Sequence, residues 1–242
     1  YNYEVNIDVY ENNENQTLDS FVIEDNVIVG LSQKGLNEVK ATESLTIPII
    51  DGVDTIGKSA FELSRLDGAN IKNIVIISPI KIIEEAAFKG NNIVSLKLND
   101  ELQSIGDYSF QGNCLEFLEL SKNVRIIGKG AFIPDKDHGI KNLELNEKIN
   151  FIGKKAFYRN NISELKLPSS LKEISVAAFG NNNSLKEISL NEGIEIIGKE
   201  AFSNTDLAGE IVIPKSVIHL MERSFENTLV DSLFIKGDEF SN

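Results

Sequence analysis

Residues Ile152–Pro168 have the sequence IGKKAFYRNNISELKLP. Two close variants of it occur elsewhere: IGDYSFQGNCLEFLELS begins at Ile105, and IGKEAFSNTDLAGEIVIP begins at Ile197. Aligned on the aromatic residue, the chain contains eight such units, 22 to 27 residues apart: Phe61, Phe88, Phe110, Phe132, Phe157, Phe179, Phe202 and Phe225. A period in this range predicts a solenoid of stacked coils.

Fixed offsets around each phenylalanine predict what one coil contains. Aliphatic residues stand eight and five positions before the ring, as Ile149 and Ile152 do for Phe157, and alanine or serine directly precedes the ring. After a turn of variable length comes an L-x-L pair, here Leu165 and Leu167. Because strand side chains alternate, the paired residues enter the core and the residue between them faces outward. We expect one strand per coil, joined in a parallel sheet, and a column of stacked rings.

Polar residues also recur at fixed positions inside the repeat. Three positions after the ring stand Asn91, Asn113, Asn160 and Asn182. A buried amide in a turn can satisfy backbone groups of its own coil and of the next, so we predict a structural ladder and no ligand role. Glycine follows the core isoleucine in five of eight units. Since Glu84 takes that place in one coil, we attribute the glycines to close packing and not to a positive φ.

Composition limits the classes of partner. The chain has 242 residues, of which 41% are apolar, so a substantial core is expected. Its net charge is −13, with 24 basic and 37 acidic side chains. This sign argues against nucleic acid, whose binding needs basic residues, and against anionic membrane surfaces. No apolar run approaches the roughly 20 residues of a membrane span, so no direct membrane insertion is expected.

The residues that usually carry chemistry are scarce. The single cysteine, Cys114, excludes an intrachain disulfide, and the two histidines lie in other units. A catalytic thiol needs a base beside it, so we interpret Cys114 as structural. The segment DKDHG at 135–139 has the carboxylate spacing that begins a calcium loop, but Asn146 stands at position twelve and no glycine stands at position six. We interpret it as a solvated insertion and expect no catalytic residue, metal or cofactor.

The phrase IG-x-x-AF-x-x-N-x-I-x-x-L-x-L-P resembles the BspA-like leucine-rich repeat, a class found mainly in bacterial surface proteins. The resemblance covers about Leu45 to Ile235. It implies a repeat solenoid of the leucine-rich type, with one parallel β-sheet, about eight repeats of 22–27 residues and an N-terminal cap. It also implies an extracellular, cell-surface location and an adhesin-like role in binding a protein or glycan on host or neighbouring cells. No catalytic motif comes with this family, so we expect no enzyme.

The ends of the chain differ from the repeats. Residues 1–20 are acidic and polar and are interpreted as a lead-in or linker. Residues 21–52 are predicted to form the N-terminal cap, with a β-hairpin around Glu24–Asn26 and an incomplete first repeat. Residues 53–242 are assigned to the leucine-rich repeats. The short tail after Ile235 is a poor cap, so we expect the native chain to continue or this end to pair with something.

The outward columns of the predicted sheet give the candidate partner-binding residues: Phe117, Glu119, Glu144, Glu164, Lys166, Glu187 and Glu210. Adjacent strands about 4.8 Å apart would let Glu144 pair with Lys166 and would leave Glu164, Glu187 and Glu210 as an unbalanced acidic row. A docking strip for a basic partner, with Phe117 or Phe234 as an apolar anchor, is one interpretation. A solvated face on a non-binding spacer or accessory domain of a larger secreted or wall-anchored protein is the alternative.

Overall fold

The eight repeat phenylalanines form one continuous stack through the solenoid. The structure, a computed structural model, describes residues 16–136 and 138–236. Neighbouring ring centroids in the stack lie 5.1 to 5.9 Å apart, with interplanar angles of 2 to 23°. Phe21 packs edge-on against Phe61 at the N-terminal end. The predicted column is confirmed, and we number the coils one to eight by their phenylalanine.

One α-helix and nineteen strands make up the regular structure of the described residues. In chain order they are β1 (Phe21–Glu24), β2 (Val27–Leu31), α1 (Gln33–Thr42), β3 (Ser44–Ile47), β4 (Thr55–Ile56), β5 (Asn73–Ile76), β6 (Ile82–Ile83), β7 (Ser95–Lys97), β8 (Ser104–Ile105), β9 (Phe117–Glu119), β10 (Ile126–Ile127), β11 (Asn142–Glu144), β12 (Phe151–Ile152), β13 (Glu164–Lys166), β14 (Glu173–Ile174), β15 (Glu187–Ser189), β16 (Ile196–Ile197), β17 (Ala208–Ile213), β18 (His219–Leu220) and β19 (Leu229–Ile235). Short 3₁₀ turns lie at Leu18–Ser20 and Leu63–Arg65.

Each coil contributes two strands, whereas the sequence predicts one. The short strands ending at the isoleucine five before the ring form a continuous ten-stranded sheet, β1-β2-β4-β6-β8-β10-β12-β14-β16-β18, which is parallel after the first hairpin. The L-x-L strands form smaller parallel sheets: β3-β5-β7, β9-β11, β13-β15 and β17-β19. The leucine-rich solenoid with a parallel sheet is therefore confirmed, and the longest sheet is the one built from the shorter strands.

The N-terminal cap contains the predicted hairpin and a helix that the sequence analysis missed. Asp25 and Asn26 turn between β1 and β2 with φ of 47° and 67°, as a tight primed turn requires. Helix α1 begins after Ser32, whose side chain accepts from the amide of Gly35. Gln16 lies along β3: its Nε2 donates to the Ser44 carbonyl and its Oε1 accepts from a β3 amide. The side chain of Gln16 thereby forms hydrogen bonds with the backbone along the edge of β3.

The asparagine ladder is confirmed. Nδ2 of Asn113 donates to the carbonyls of Phe88 and Phe110, and Oδ1 accepts from the amide of Ile93. Asn91 and Asn182 make the same three bonds in their coils. Asn160 makes two of them. Each amide therefore satisfies backbone groups of neighbouring coils from a buried position.

Close packing explains the recurrent glycine, as predicted. A Cβ added to Gly106 would stand 2.6 Å from the backbone carbon of Glu84 in the preceding coil, and its φ is negative. The left-handed backbone conformation occurs at a different position of the repeat. The residue two before each ring has a φ between 52° and 60°: Ser59, Ala86, Tyr108, Gly130, Lys155, Ala177, Glu200 and Arg223. Only one of these eight is glycine, so neighbouring coils must impose this conformation.

The last coil exposes positions that are buried in earlier coils. Leu220 is 42% exposed, whereas its equivalent Ile197 in the preceding coil is fully buried. Leu233 and Ile235 are likewise exposed, whereas Ile211 and Ile213 are buried. The apolar core of the solenoid is thus accessible at this end among the residues that the structure describes.

Candidate partner-binding face

The seven candidate residues lie on the outward side of the L-x-L strands, which we call the L-x-L face. Phe117 begins β9 and stands in register with Asn142 of β11. Glu119 ends β9 and stands in register with Glu144, so two carboxylates face each other across neighbouring strands. Directly opposed like charges in a sheet are unfavourable.

A second like-charged pair lies further along the same face. Glu164 of β13 is in register with Glu187 of β15, and Lys166 is in register with Ser189. Glu210 belongs to the next sheet, where it pairs with Ser232 of β19. Within residues 16–136 and 138–236, none of these three carboxylates forms an ion pair. The structure therefore brings Glu164 and Glu187 together, and Glu210 continues the face beyond a break in the sheet.

A cleft lies on the L-x-L face beside one of the breaks in the sheet. No ladder joins β11 to β13, and the amide of Ser163 reaches the carbonyl of Lys141 only at 3.4 Å. The cleft has a volume of about 490 Å³ and is lined by Lys141, Asn142, Leu143, Glu144, Leu145, Ser163, Glu164 and Lys166. Three of the seven candidate residues thus meet around one opening.

The charges of the cleft are only partly neutralised. Lys141 forms a 2.9 Å ion pair with Glu116, outside the cleft. The expected pair between Glu144 and Lys166 is not formed, since neither side chain makes an ion pair with any described residue. The expectation assumed that β11 and β13 are paired strands, whereas no ladder joins them. The cleft therefore presents two carboxylates and an ammonium that are free to meet a ligand.

Apolar side chains flank the acidic row at both ends. Phe117 is 45% exposed, and Phe234 is 52% exposed beside Val212, with which it stands in register. Aromatic residues, phenylalanine among them, are enriched at the centres of protein interfaces. Both predicted anchors are accessible, and the cleft lies between them along the solenoid axis.

One row of exposed apolar residues was not predicted from the sequence. On the ten-stranded sheet, the residue six before the ring faces outward, and Ile82, Ile126 and Phe151 each expose more than two fifths of their surface. Ile126 and Phe151 are in register on neighbouring strands. The signal was present in the sequence as a second alternating position beside the core isoleucine, but a two-residue strand is too short for a period to be recognised.

Cys114 and the insertion at 135–139 show no reactive arrangement among the described atoms. Burial raises the pKa of the Cys114 thiol, and the charge of Asp135 adds to the effect, so the protonated form is favoured at neutral pH. Residues 16–136 and 138–236 contain no group of three or more potential ligands placed to hold a metal. Asp137 of the DKDHG segment lies outside these ranges. No helix in the described chain is long and apolar enough to cross a bilayer.

The stacked coils, paired aliphatic strands and asparagine ladder define a leucine-rich repeat solenoid. The chain belongs to the BspA type Leucine rich repeat region family, whose model matches residues 6–113, 66–137 and 103–230 in six copies. No curated protein sequence gives a significant match. The family assignment thus agrees with the resemblance inferred from the repeated phrase.

Solved bacterial structures share the fold. The T. pallidum Leucine Rich Repeat protein superposes with a TM-score of 0.58 at 19% identity, covering 76% of this chain and 85% of its own. A leucine-rich repeat protein from Bacteroides ovatus gives a TM-score of 0.51 at 22% identity, covering 81% of this chain and 57% of its own. This chain therefore spans little more than half of the latter protein. At such identities the likeness extends to the fold alone.

Proposed function

We propose that this chain is a bacterial cell-surface interaction module, adhesin-like in role, that binds a protein or glycan partner through the L-x-L face. The observation that carries the proposal is the pairing of like charges, Glu119 with Glu144 and Glu164 with Glu187, around an open cleft. Membership of the BspA type family supports display outside the cell. The partner is expected on host or neighbouring cells and should present basic groups to the acidic row.

At several other places on the surface, neighbouring coils place opposite charges side by side. Examples are Lys58 with Glu85 at 2.7 Å and Lys122 with Asp100 at 2.6 Å. Such exposed pairs contribute little each, but they avoid repulsion between coils. The L-x-L face departs from this arrangement where the cleft opens. A basic partner would offset the repulsion that the face carries when it is unoccupied.

The test compares binding with and without the acidic row. Purified protein is passed over immobilised extracellular matrix proteins and over a glycan array, and its binding is compared with that of the Glu164→Lys/Glu187→Lys double variant. A matched control, Glu24→Lys/Asp51→Lys, makes the same charge change on the cap. We expect at least a tenfold loss for the first variant and little change for the control. Equal binding by all three proteins would contradict the proposal, and no binding by the native protein would favour the spacer role.

A further inference from the structure

Positive charge is concentrated in coils four and five, although the protein as a whole is acidic. Residues 121–134 and 148–163 contain seven basic side chains and no acidic one, in a chain whose net charge is −13. The seven are Lys122, Arg125, Lys129, Lys148, Lys154, Lys155 and Arg159. A local excess of one sign against the overall charge indicates a surface that meets a ligand of the opposite sign.

Five of these cations have no carboxylate partner. Lys122 pairs with Asp100, and Lys148 donates to the side-chain oxygen of Asn123. The other five make no ion pair with any residue in the described part of the chain, and we call them the basic patch: Arg125, Lys129, Lys154, Lys155 and Arg159.

Backbone hydrogen bonds join coils four and five next to Arg125, Lys129 and Lys154. The carbonyl of Arg125 accepts from the amides of Asn150 and Phe151 at 3.0 and 3.2 Å. The carbonyl of Lys154 accepts from the amide of Gly130, next to Lys129, at 2.9 Å. Lys129 and Lys154 occupy the same position in coils whose rings lie 5.4 Å apart. Like charges repeated at this spacing repel each other unless an anion lies across them.

Aromatic rings lie among the cations. The Lys129 ammonium lies 5.2 Å from the ring centroid of Tyr108, and the Lys155 ammonium lies 4.8 Å from that of Tyr158. Both contacts fall within cation–π range, which helps to fix the lysine side chains on the surface. Phe151 is 44% exposed beside Arg125 and offers an apolar ring face within the patch.

The carboxylates bordering the patch accept hydrogen bonds from nearby backbone amides or hydroxyl groups. Asp107 accepts from the backbone amide of Lys129 at 2.7 Å. Glu147 accepts from both the amide and the hydroxyl of Ser169, at 2.9 and 2.8 Å. Glu173 accepts from the hydroxyl of Ser175. These acidic residues confine the patch to two coils, so a suitable ligand is narrow and does not spread over neighbouring coils.

We propose that the basic patch binds a linear anionic polysaccharide, one that carries sulfate or carboxylate groups along its chain. Sulfate and carboxylate accept charge-assisted hydrogen bonds from arginine and lysine, and the exposed ring of Phe151 packs against the C–H face of a sugar. A single polysaccharide strand is thin enough to lie across two coils. A duplex or an anionic membrane is broader and would meet the carboxylates on either side. This site is separate from the L-x-L face, and the two proposals can fail independently.

The test measures binding of four defined polymers by biolayer interferometry: heparin, chondroitin sulfate, hyaluronan and neutral dextran. We expect one or more of the three anionic chains to bind and dextran not to bind, with affinity falling as salt rises because counterions compete for the patch. The Arg125→Ser/Lys154→Ser variant should bind at least tenfold more weakly. The control Lys72→Ser/Lys199→Ser removes two lysines that already pair with Glu43 and Glu222, and it should stay within twofold of the native protein.

Two further variants distinguish the contribution of the patch charges from that of the Phe151 ring and from that of the L-x-L face. Phe151→Ser should weaken binding while leaving the salt dependence unchanged, because no charge is removed. Glu164→Lys/Glu187→Lys should leave polysaccharide binding intact. A thermal melt of each variant shows that it remains folded. The proposal is overturned if dextran binds as well as the anionic chains, if the control loses as much as the patch variant, or if duplex DNA, anionic vesicles or an acidic peptide bind more tightly than any polysaccharide.

Discussion

The side-chain amide of Asn113 donates a 3.0 Å hydrogen bond to the backbone carbonyl of Phe88 in the preceding coil. The same amide bonds to the Phe110 carbonyl of its own coil, and the side-chain oxygen accepts from Ile93. Three buried backbone groups therefore depend on one side chain. In coils seven and eight, Thr205 and Thr228 hold the equivalent position, and each donates to the carbonyl of the ring residue in its own coil but not, among the described residues, to the preceding coil.

Asn113→Ala is expected to destabilise the protein by about 2–4 kcal/mol, because three buried backbone groups would lose their partner. Asn113→Thr should cost less, since threonine can keep the bond to the Phe110 carbonyl. The control is Asn161→Ala at an exposed position, which should change stability by less than about 0.5 kcal/mol. Urea unfolding followed by circular dichroism measures all three. A loss of under about 1 kcal/mol for the alanine variant would contradict the structural ladder.

Ser109 precedes the ring in coil three, where six other coils carry alanine. Its hydroxyl is fully buried and has no hydrogen-bond partner among the described residues. Ser109→Ala is therefore expected to stabilise the protein by about 1 kcal/mol, since removing an unsatisfied buried hydroxyl relieves its desolvation cost. The reverse change, Ala156→Ser in coil five, is the matched control and should destabilise. A lower melting temperature for Ser109→Ala than for the native protein would contradict this account.

The repeat positions were predictable because each one sees the same surroundings in every coil. A phenylalanine that stacks on its two neighbours, or an amide that bridges two coils, needs the same residue each time, so the period is visible in the sequence. The left-handed column was not predictable, because a hydrogen bond and not the side chain sets it. The amide of Lys155, for example, donates to the carbonyl of Val176 in the next coil at 2.9 Å.

The sequence was enough to predict which residues lie on the L-x-L face, but not that the face contains a cleft. Alternation along the L-x-L strands was enough to place Glu164 and Glu187 outward and side by side. The cleft could not be foreseen, because it lies where no ladder joins β11 to β13, and neither strand differs in pattern from the strands that do pair. Helix α1 was missed because it lies outside the repeat, although Ser32 before the apolar spacing of Leu36 and Val39 is a start signal.

A substitution at Glu200 tests whether the left-handed conformation two residues before the ring is strained. It stands two before the ring of coil seven with a φ of 58°, a conformation that disfavours any side chain but suits glycine. Glu200→Gly is expected to raise the free energy of unfolding by about 0.5–1 kcal/mol, the strain relief being partly offset by the greater entropy of the unfolded chain. Lys199→Gly, one residue earlier and outside the left-handed region, should destabilise instead. If both variants shift the melting temperature in the same direction, the strain at Glu200 is not the cause.

We expect the stability contributed by the contact between Glu147 and Ser169 of the next coil to depend on pH. Hydrogen bonds from the backbone amide and then the hydroxyl of Ser169 lower the pKa of its carboxyl below the ordinary value. A lowered folded-state pKa means that this stabilisation is fully present above the unfolded-state pKa, near 4.3, and is lost as the pH falls through the lower folded-state value. Glu147→Gln cannot titrate, so the native protein should melt above the variant at pH 7, and the difference should shrink towards pH 3. Glu24→Gln on the cap is the control, expected to melt with the native protein throughout. A difference between native protein and Glu147→Gln that stays constant from pH 7 to pH 3 would show that the Ser169 bonds do not favour the ionised carboxylate.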